Sequence, residues 1–306
     1  MLKLPSIKGS ISFDRDLDRL TWLQVGGPAK IFFQPFDILD LKNFLSKISI
    51  NHEVFPMGVG SNLLVRDGGI NAIVIRLGGK SFNYINQDST SLRCGAGALD
   101  SHVAIKAAEL GLDLTFLRTI PGTIGGAIAM NAGCYGSYVE DFLVEATIIN
   151  RDGSEVCVSA DKINFGYRSS DIPKDSVIVE AVFAPDRGEP GVLKSRMAKQ
   201  IEIRNRTQPI DRRTAGSTFR NPSGASSLGQ RNESMENKAW KLLDDAGLRG
   251  FSVGGAQVSE KHPNFLINKG NASSKDFESL GELMRKKVLQ NSGIELQWEV
   301  IRVGVE

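Results

Sequence analysis

Apolar residues recur along this chain with two periods, and the alternation of those periods divides it into strands and helices. Residues 29–36, Ala-Lys-Ile-Phe-Phe-Gln-Pro-Phe, read as a strand. Asp37 can then cap a helix whose Ile38, Leu41, Leu45 and Ile48 follow the 3.6-residue period. His52 to Met57 gives a second strand that runs into Gly58-Val-Gly60, so the segment has the form of a βαβ unit with a loop at its strand's C-terminal end, where ligands sit in such units. Ala72 to Leu77 adds another strand. Asp100 or Ser101 can start a helix through Val103, Ala104, Ala107 and Leu110, closed by Gly111 where a left-handed cap is wanted.

From Glu140 the pattern turns to β. Residues 144–150, an Arg-Asp-Gly turn at 151–153 and residues 155–159 form a hairpin, and Ser176 to Ala184 is a further strand. A helix over 191–206, with Leu193, Met197 and Ile201 on one stripe, ends before Pro209 and bridges to a second region. Residues 223–237 are polar and rich in glycine and serine, which predicts a surface loop. Trp240, Leu243 and Ala246 then mark a short amphipathic helix ended by Gly247, and Phe277, Leu280, Met284 and Val288 mark another. The chain closes on a strand, Leu296 to Val303, whose alternation puts Leu296, Trp298 and Val300 on one face and Glu299, Ile301 and Val303 on the other. Glu299 thus shares a face with aliphatic residues, where a carboxylate is costly without a partner, and this makes it a candidate working group.

Composition narrows the chemistry. The 306 residues carry 37 Lys and Arg against 35 Asp and Glu, a balance that gives no reason to expect nucleic acid and points to small-molecule partners. The first residues lack the apolar core of a secretion signal, and no apolar run reaches the length of a membrane span, so a cytoplasmic protein is expected. Cys94, Cys134 and Cys157 are odd in number and widely spaced, and His52, His102 and His262 form no His-Glu-x-x-His pattern; neither disulfides nor a bound metal is expected.

Glycine supplies the strongest signal. Arg118 to Gly136 holds five glycines and one proline with almost no charge, and shorter loops of the same kind lie at Gly58-Val-Gly60 and Gly95-Ala-Gly97. Without a Cβ, such turns let successive amide N–H groups converge on phosphate oxygens, and three of them imply a long, phosphate-bearing cofactor. Familiar fingerprints fail. Leu63 and Asp100 stand where the third glycine of a dinucleotide motif belongs, and Gly78-Gly-Lys-Ser81 lacks the leading glycine of a P-loop, Val74 occupying its place. Elsewhere, Phe165-Gly-Tyr-Arg-Ser-Ser-Asp171 sets one cation in an aromatic turn, and Ala215-Gly-Ser-Thr-Phe-Arg-Asn-Pro222 sets Ser217 between a glycine and a β-prone pair, with no Gly-x-Ser-x-Gly elbow of a hydrolase.

Taken in order, Thr21-Trp-Leu-Gln-Val-Gly-Gly-Pro-Ala29, Gly58-Val-Gly-Ser-Asn-Leu-Leu-Val65, Ile120 to Gly133, Tyr167-Arg168, Gly216-Ser-Thr-Phe-Arg-Asn-Pro222 and Gly255 to Asn268 resemble the UDP-N-acetylenolpyruvoylglucosamine reductase (MurB) family over nearly the whole chain. Leu20 and Arg220 depart from that pattern, where Asn and Lys are frequent, residues 223–237 look like an insertion, and no counterpart of one subgroup's tyrosine-bearing lid is evident. The resemblance implies an α+β flavoprotein: a two-lobed FAD-binding domain of the vanillyl-alcohol-oxidase-like type over about 1–205, with lobes at about 1–77 and 78–205, and a C-terminal α/β substrate-binding domain over 206–306. It implies reduction of an enolpyruvyl UDP-sugar with FAD as cofactor and NADPH as co-substrate, in bacterial wall-precursor synthesis, with no obligate protein partner. By match to its motifs, Arg168, Ser217 and Glu299 are catalytic. Gly58, Gly60, Ser61, Asn62, Gly97, Gly122, Thr123, Gly125, Gly126 and Asn131 hold FAD, and Tyr167, Arg220, Asn221 and His262 face the sugar nucleotide. An oxygen-using flavin oxidase and a non-catalytic nucleotide-binding module are the alternatives at this stage.

Overall fold

The computed structural model describes residues 4–228 and 237–306, so part of the polar stretch at 223–237 lies outside the described residues. The chain forms two compact units, one of residues 4–15, 30–58 and 72–201 and the other of residues 16–29, 59–71 and 202–306.

Two sheets build the first unit. The smaller runs in the order Ser10–Asp16, Pro28–Gln34, Ile70–Ile75, Val54–Pro56, the last two strands parallel. Its helix, Ile38–Lys47, starts where the sequence places a cap: Asp37 accepts the Asp40 amide at 2.7 Å. Leu41, Phe44 and Leu45 pack inward, with Phe44 stacked on Phe33 at 4.0 Å between ring centroids. Asp40, on the same helix, is buried and accepts the amides of Lys8, Gly9 and Phe36 at 2.8 to 3.0 Å, which fixes the N-terminal segment against it.

The larger sheet is antiparallel, in the order Glu155–Ser159, Leu143–Ile149, Val177–Phe183, Ser91–Gly95, Ile85–Asp88. It packs on the alanine-rich face of the helix Asp100–Glu109, where Val103, Ala104, Ala107 and Ala108 are fully buried. Gly111 ends that segment with φ +71, as its place in the sequence requires. The start differs from expectation. Leu99 is the cap residue and Asp100 makes no capping bond, because Leu99 bridges Thr123 and the Asp100 side chain turns into the interior with no exposed surface. Arg151, read from sequence as part of a turn, is buried and donates to the carbonyl of Leu45 in the last turn of the Ile38–Lys47 helix and to those of Ser49 and His52 just beyond it.

In the second unit the four residues Phe277, Leu280, Met284 and Val288 all face the core, as their spacing predicts, on the helix Ser274–Ser292. Ser273 caps that helix and Gly293, at φ +73, ends it. Segment 59–71 is held to it by side chains: Asp67 accepts the Ser274 amide at 2.9 Å, and Arg66 forks onto Glu278 at 3.0 to 3.2 Å. Leu63–Val65 also pairs in parallel with Ile301–Val303. The final strand is shorter than expected, since only Ile301–Val303 is regular while Phe219 bridges Trp298 just before it. Leu296 and Val300 do face inward, but Ile301 on the other face is 39% exposed, so Glu299 does not stand among buried aliphatic residues. Among the described residues no helix is long and apolar enough to cross a membrane.

Gly281 sits mid-helix with the Trp298 indole lying against its Cα, so a Cβ there has no room. Gly281→Val is expected to displace Trp298 and cost about 1–3 kcal/mol, measured as a lower urea midpoint with a red-shifted tryptophan emission. An unchanged midpoint would show that the contact is not a tight one.

Candidate functional site

In the first unit the glycine turns converge. The Gly125 amide donates to the Ala96 carbonyl at 2.9 Å, the Ile124 amide to Ala98 at 3.0 Å, and the Gly97 amide to Phe82 at 2.9 Å. A Cβ at Gly58 would come 2.8 Å from Thr123 Oγ1, at Gly97 2.5 Å from Asn83 Oδ1, at Gly122 2.6 Å from Asp100 Oδ2 and at Gly125 3.2 Å from Ala96 Cβ. Side chains at these positions would crowd the neighbouring turns, so the glycines let the turns approach one another; the amides of Gly97, Ile124 and Gly125 are taken up by those carbonyls, and an anionic, diphosphate-bearing group such as FAD would be met by the other amides of the same turns. Asp100 was read from sequence only as a helix start. Its carboxyl oxygens are buried without hydrogen-bond partners, and burial raises its pKa well above the usual carboxylate range, disfavouring the charged form beside the Gly122 turn.

Arg168 lies at the apex of a tight turn closed by Gly166 and Ser169, whose amides and carbonyls exchange bonds of 3.0 and 3.2 Å. Its φ is +58, a conformation that a turn's second apex position normally assigns to glycine, and its guanidinium lies over the Tyr167 ring at 5.1 Å. Asn131, itself at φ +40 and 1% exposed, anchors this turn: its Nδ2 donates to the Gly166 carbonyl at 3.2 Å while its Oδ1 accepts the Glu140 amide at 3.1 Å. A strained arginine held by a buried asparagine is a feature of working sites, and the sequence shows no trace of it.

Ser217 and Glu299 belong to the second unit, on neighbouring segments. The Glu299 amide donates to the Thr218 carbonyl at 2.8 Å, and the Arg220 amide to Gln297 at 2.8 Å. Asn62 donates from Nδ2 to the Glu299 carbonyl at 3.1 Å, and Gly60, at φ +67, accepts the Trp22 amide. Gly60, Ser61 and Asn62 thus belong to a different unit from the other glycine turns. Asn221 is engaged locally: its Nδ2 donates to Ala225 and its Oδ1 accepts the Ala239 amide at the start of the Ala239–Asp245 helix. His262 packs edge-on against Phe265, with ring centroids 4.7 Å apart, and its Nδ1 accepts the Asn264 amide at 3.3 Å. Burial, aided by the Arg249 charge, pushes its pKa down to about 4, so the neutral ring carries its proton on Nε2 as a donor.

Residues 29–159 match a family model described as an FAD binding domain, and residues 208–303 match the model of the C-terminal domain of UDP-N-acetylenolpyruvoylglucosamine reductase. The UDP-N-acetylenolpyruvoylglucosamine reductase of Paracoccus denitrificans is 56% identical over 301 residues, 98% of either chain. That of Ruegeria pomeroyi is 54% identical over 304 residues, 99% of this chain and 98% of the relative. Among solved structures, the crystal structure of UDP-N-acetylenolpyruvylglucosamine reductase (MurB) from Thermus caldophilus aligns at a TM-score of 0.79 and 30% identity, covering 97% of this chain and 99% of its own.

The depressed His262 pKa has a consequence for stability. The unfolded chain binds this proton near the ordinary value of 6.5 and the folded chain only near 4, so folding is unaffected above the first value and weakened as the pH falls toward the second. His262→Gln is expected to remove this acid sensitivity, narrowing the loss of stability between those two values by on the order of 3 kcal/mol. Urea melts at both ends of the window test it, and equal losses in the two proteins would contradict the burial of the ring.

Proposed function

The chain belongs to the UDP-N-acetylenolpyruvoylglucosamine reductase family and is an FAD-dependent oxidoreductase, and we propose that it uses NADPH to reduce the enolpyruvyl ether of a UDP-N-acetylglucosamine to UDP-N-acetylmuramate, a cytoplasmic step of peptidoglycan precursor synthesis. The end-to-end match to such reductases, at 56% identity, carries this reading. When bound, FAD supplies hydride transfer from NADPH to the vinyl carbon β to the substrate carboxylate.

The residues present suit the remaining tasks. Gly58, Gly122, Thr123 and Gly126 would hold the diphosphate chiefly through main-chain amides, Gly97 and Gly125, whose amides are already bonded, would allow its close approach, and Gly60, Ser61, Asn62 and Asn131 would complete the cofactor set. Arg168 would grip the substrate carboxylate, where negative charge accumulates as the double bond is reduced; a fixed planar guanidinium lowers that barrier because its orientation is set before reaction. Glu299 would orient the charge network. Ser217 would give the proton to the α carbon, a step that suits a hydroxyl only because the receiving centre is strongly basic. Tyr167, Arg220, Asn221 and the Nε2 of His262 would face the sugar nucleotide.

The purified protein is expected to be yellow, to bleach with NADPH under anaerobic conditions, and to regain colour on addition of the enolpyruvyl UDP-sugar. Rapid turnover with oxygen and no bleaching by NADPH would favour a flavin oxidase instead. In Ser217→Ala, bleaching should persist while reoxidation by the sugar nucleotide falls by about 10²- to 10⁴-fold, as followed by stopped-flow absorbance. Equal loss of both half-reactions would remove Ser217 from the role of proton donor.

A further inference from the structure

The segment bearing Ser217 is the middle strand of a three-segment ribbon, and a side chain completes one of its edges. Antiparallel pairing runs from Arg213 opposite Asn268 to Ser217 opposite Phe265, four steps on one side against three on the other. Gly216, at φ +80, takes up the extra residue as a bulge. Two residues further on, Phe219 would meet Pro263, which has no N–H to offer. Asn264 replaces it. Its Oδ1 accepts the Phe219 amide at 3.0 Å and its Nδ2 donates to the Phe219 carbonyl at 2.9 Å, the pair of bonds that a strand residue would make, while its own carbonyl accepts the Thr218 amide at 2.7 Å.

We propose, on the reading that Ser217 is the proton donor, that Asn264 is a positioning residue for the half-reaction in which the sugar nucleotide reoxidises the flavin, setting Ser217 and Glu299 in register through the main chain of Thr218 and Phe219. Asn264 is 3% exposed and Phe219 fully buried, so neither set of bonds can be exchanged for water. Thr218 receives Asn264 on its amide and passes the constraint through its carbonyl to the Glu299 amide at 2.8 Å. The Glu299 peptide is held from its other end by Asn62. A shift of Phe219 therefore moves the residue before Thr218 and the residue bonded across from it together.

Asn264→Asp keeps the shape and the acceptor for the Phe219 amide but sets a second acceptor against the Phe219 carbonyl. Protonation of that carboxyl restores the missing donor. Half-reactions of the holoenzyme are followed by flavin absorbance at matched pH values against the unaltered protein. Asn264→Asp should retain flavin and bleach with saturating NADPH within about threefold of normal, while reoxidation by the enolpyruvyl UDP-sugar drops about 100-fold at about pH 8. At about pH 5.5 it should recover at least about tenfold, whereas Asn264→Ser should show the same confined loss without recovery. In a Ser217→Ala background, Asn264→Asp should add little further loss. Reoxidation at the normal rate, a loss shared equally by both half-reactions, or a full additional loss beside Ser217→Ala would each overturn the assignment. If Asn264→Asp does not fold, Asn264→Ser decides on the same criterion. Failure of the unaltered protein to be reoxidised by the sugar nucleotide would instead overturn the proposed function and leave the role of Asn264 behind with it.

Discussion

A buried amide or carbonyl of the main chain must find a partner, and leaving one unmet costs about 1–3 kcal/mol. This protein builds its candidate site from short, irregular segments that cannot satisfy themselves, so side chains finish the work. Asp40 takes three amides at the N-terminal segment, Arg151 takes one late carbonyl of a helix and others in the loop after it, and Asp67 covers the start of another helix. Asn131 steadies the turn of Arg168, and Asn264 and Asn62 steady the segments of Ser217 and Glu299. Asn268 does the same for residues 23 and 24, donating to the Leu23 carbonyl at 2.9 Å and accepting the Gly270 amide at 2.7 Å. The segments that bear the candidate residues are thereby tied down by hydrogen bonds without being regular.

Much of the architecture was legible because it depends on period and on glycine. Phe277, Leu280, Met284 and Val288 face inward as a 3.6-residue stripe must, and Gly111 and Gly247 both end helical segments with positive φ. Partners were not legible, since a sequence does not state what lies across from a strand. Hence Leu296 to Val303 reads as one strand although Phe219 meets its middle and Leu63–Val65 its end. Asp100 has the chemistry of a helix cap, and only the tertiary bridge between Leu99 and Thr123 shows why its carboxyl is turned inward. The left-handed backbone of Asn131 and Arg168 is likewise invisible, because neither residue announces it as glycine would.

The candidate residues were found by family motif, and the structure adds how each is held. Gly97, Gly122 and Gly125 meet Thr123 in one part of the first unit through main-chain bonds, and a Cβ on any of the three glycines would be crowded. Asn221 and Asn62, picked as ligand contacts, also carry local duties to neighbouring main chain. A residue can do both only if its remaining polar atoms stay directed outward. Asp100 beside Gly122 makes a related point: burial disfavours its charged form, and a carboxylate there would oppose an anion at the same turn.

The pairing of Leu63–Val65 with Ile301–Val303 bears on how the polypeptide is made. A ribosome delivers residues in order, so the early segment is out, and its strand edge open, while more than two hundred residues have still to emerge. This pairing cannot form until Ile301–Val303 has left the exit tunnel, and contacts so distant along the chain form slowly. During that interval the unpaired edge is exposed to other nascent chains, and a chain cut short before Ile301 would lack the partner of Leu63–Val65.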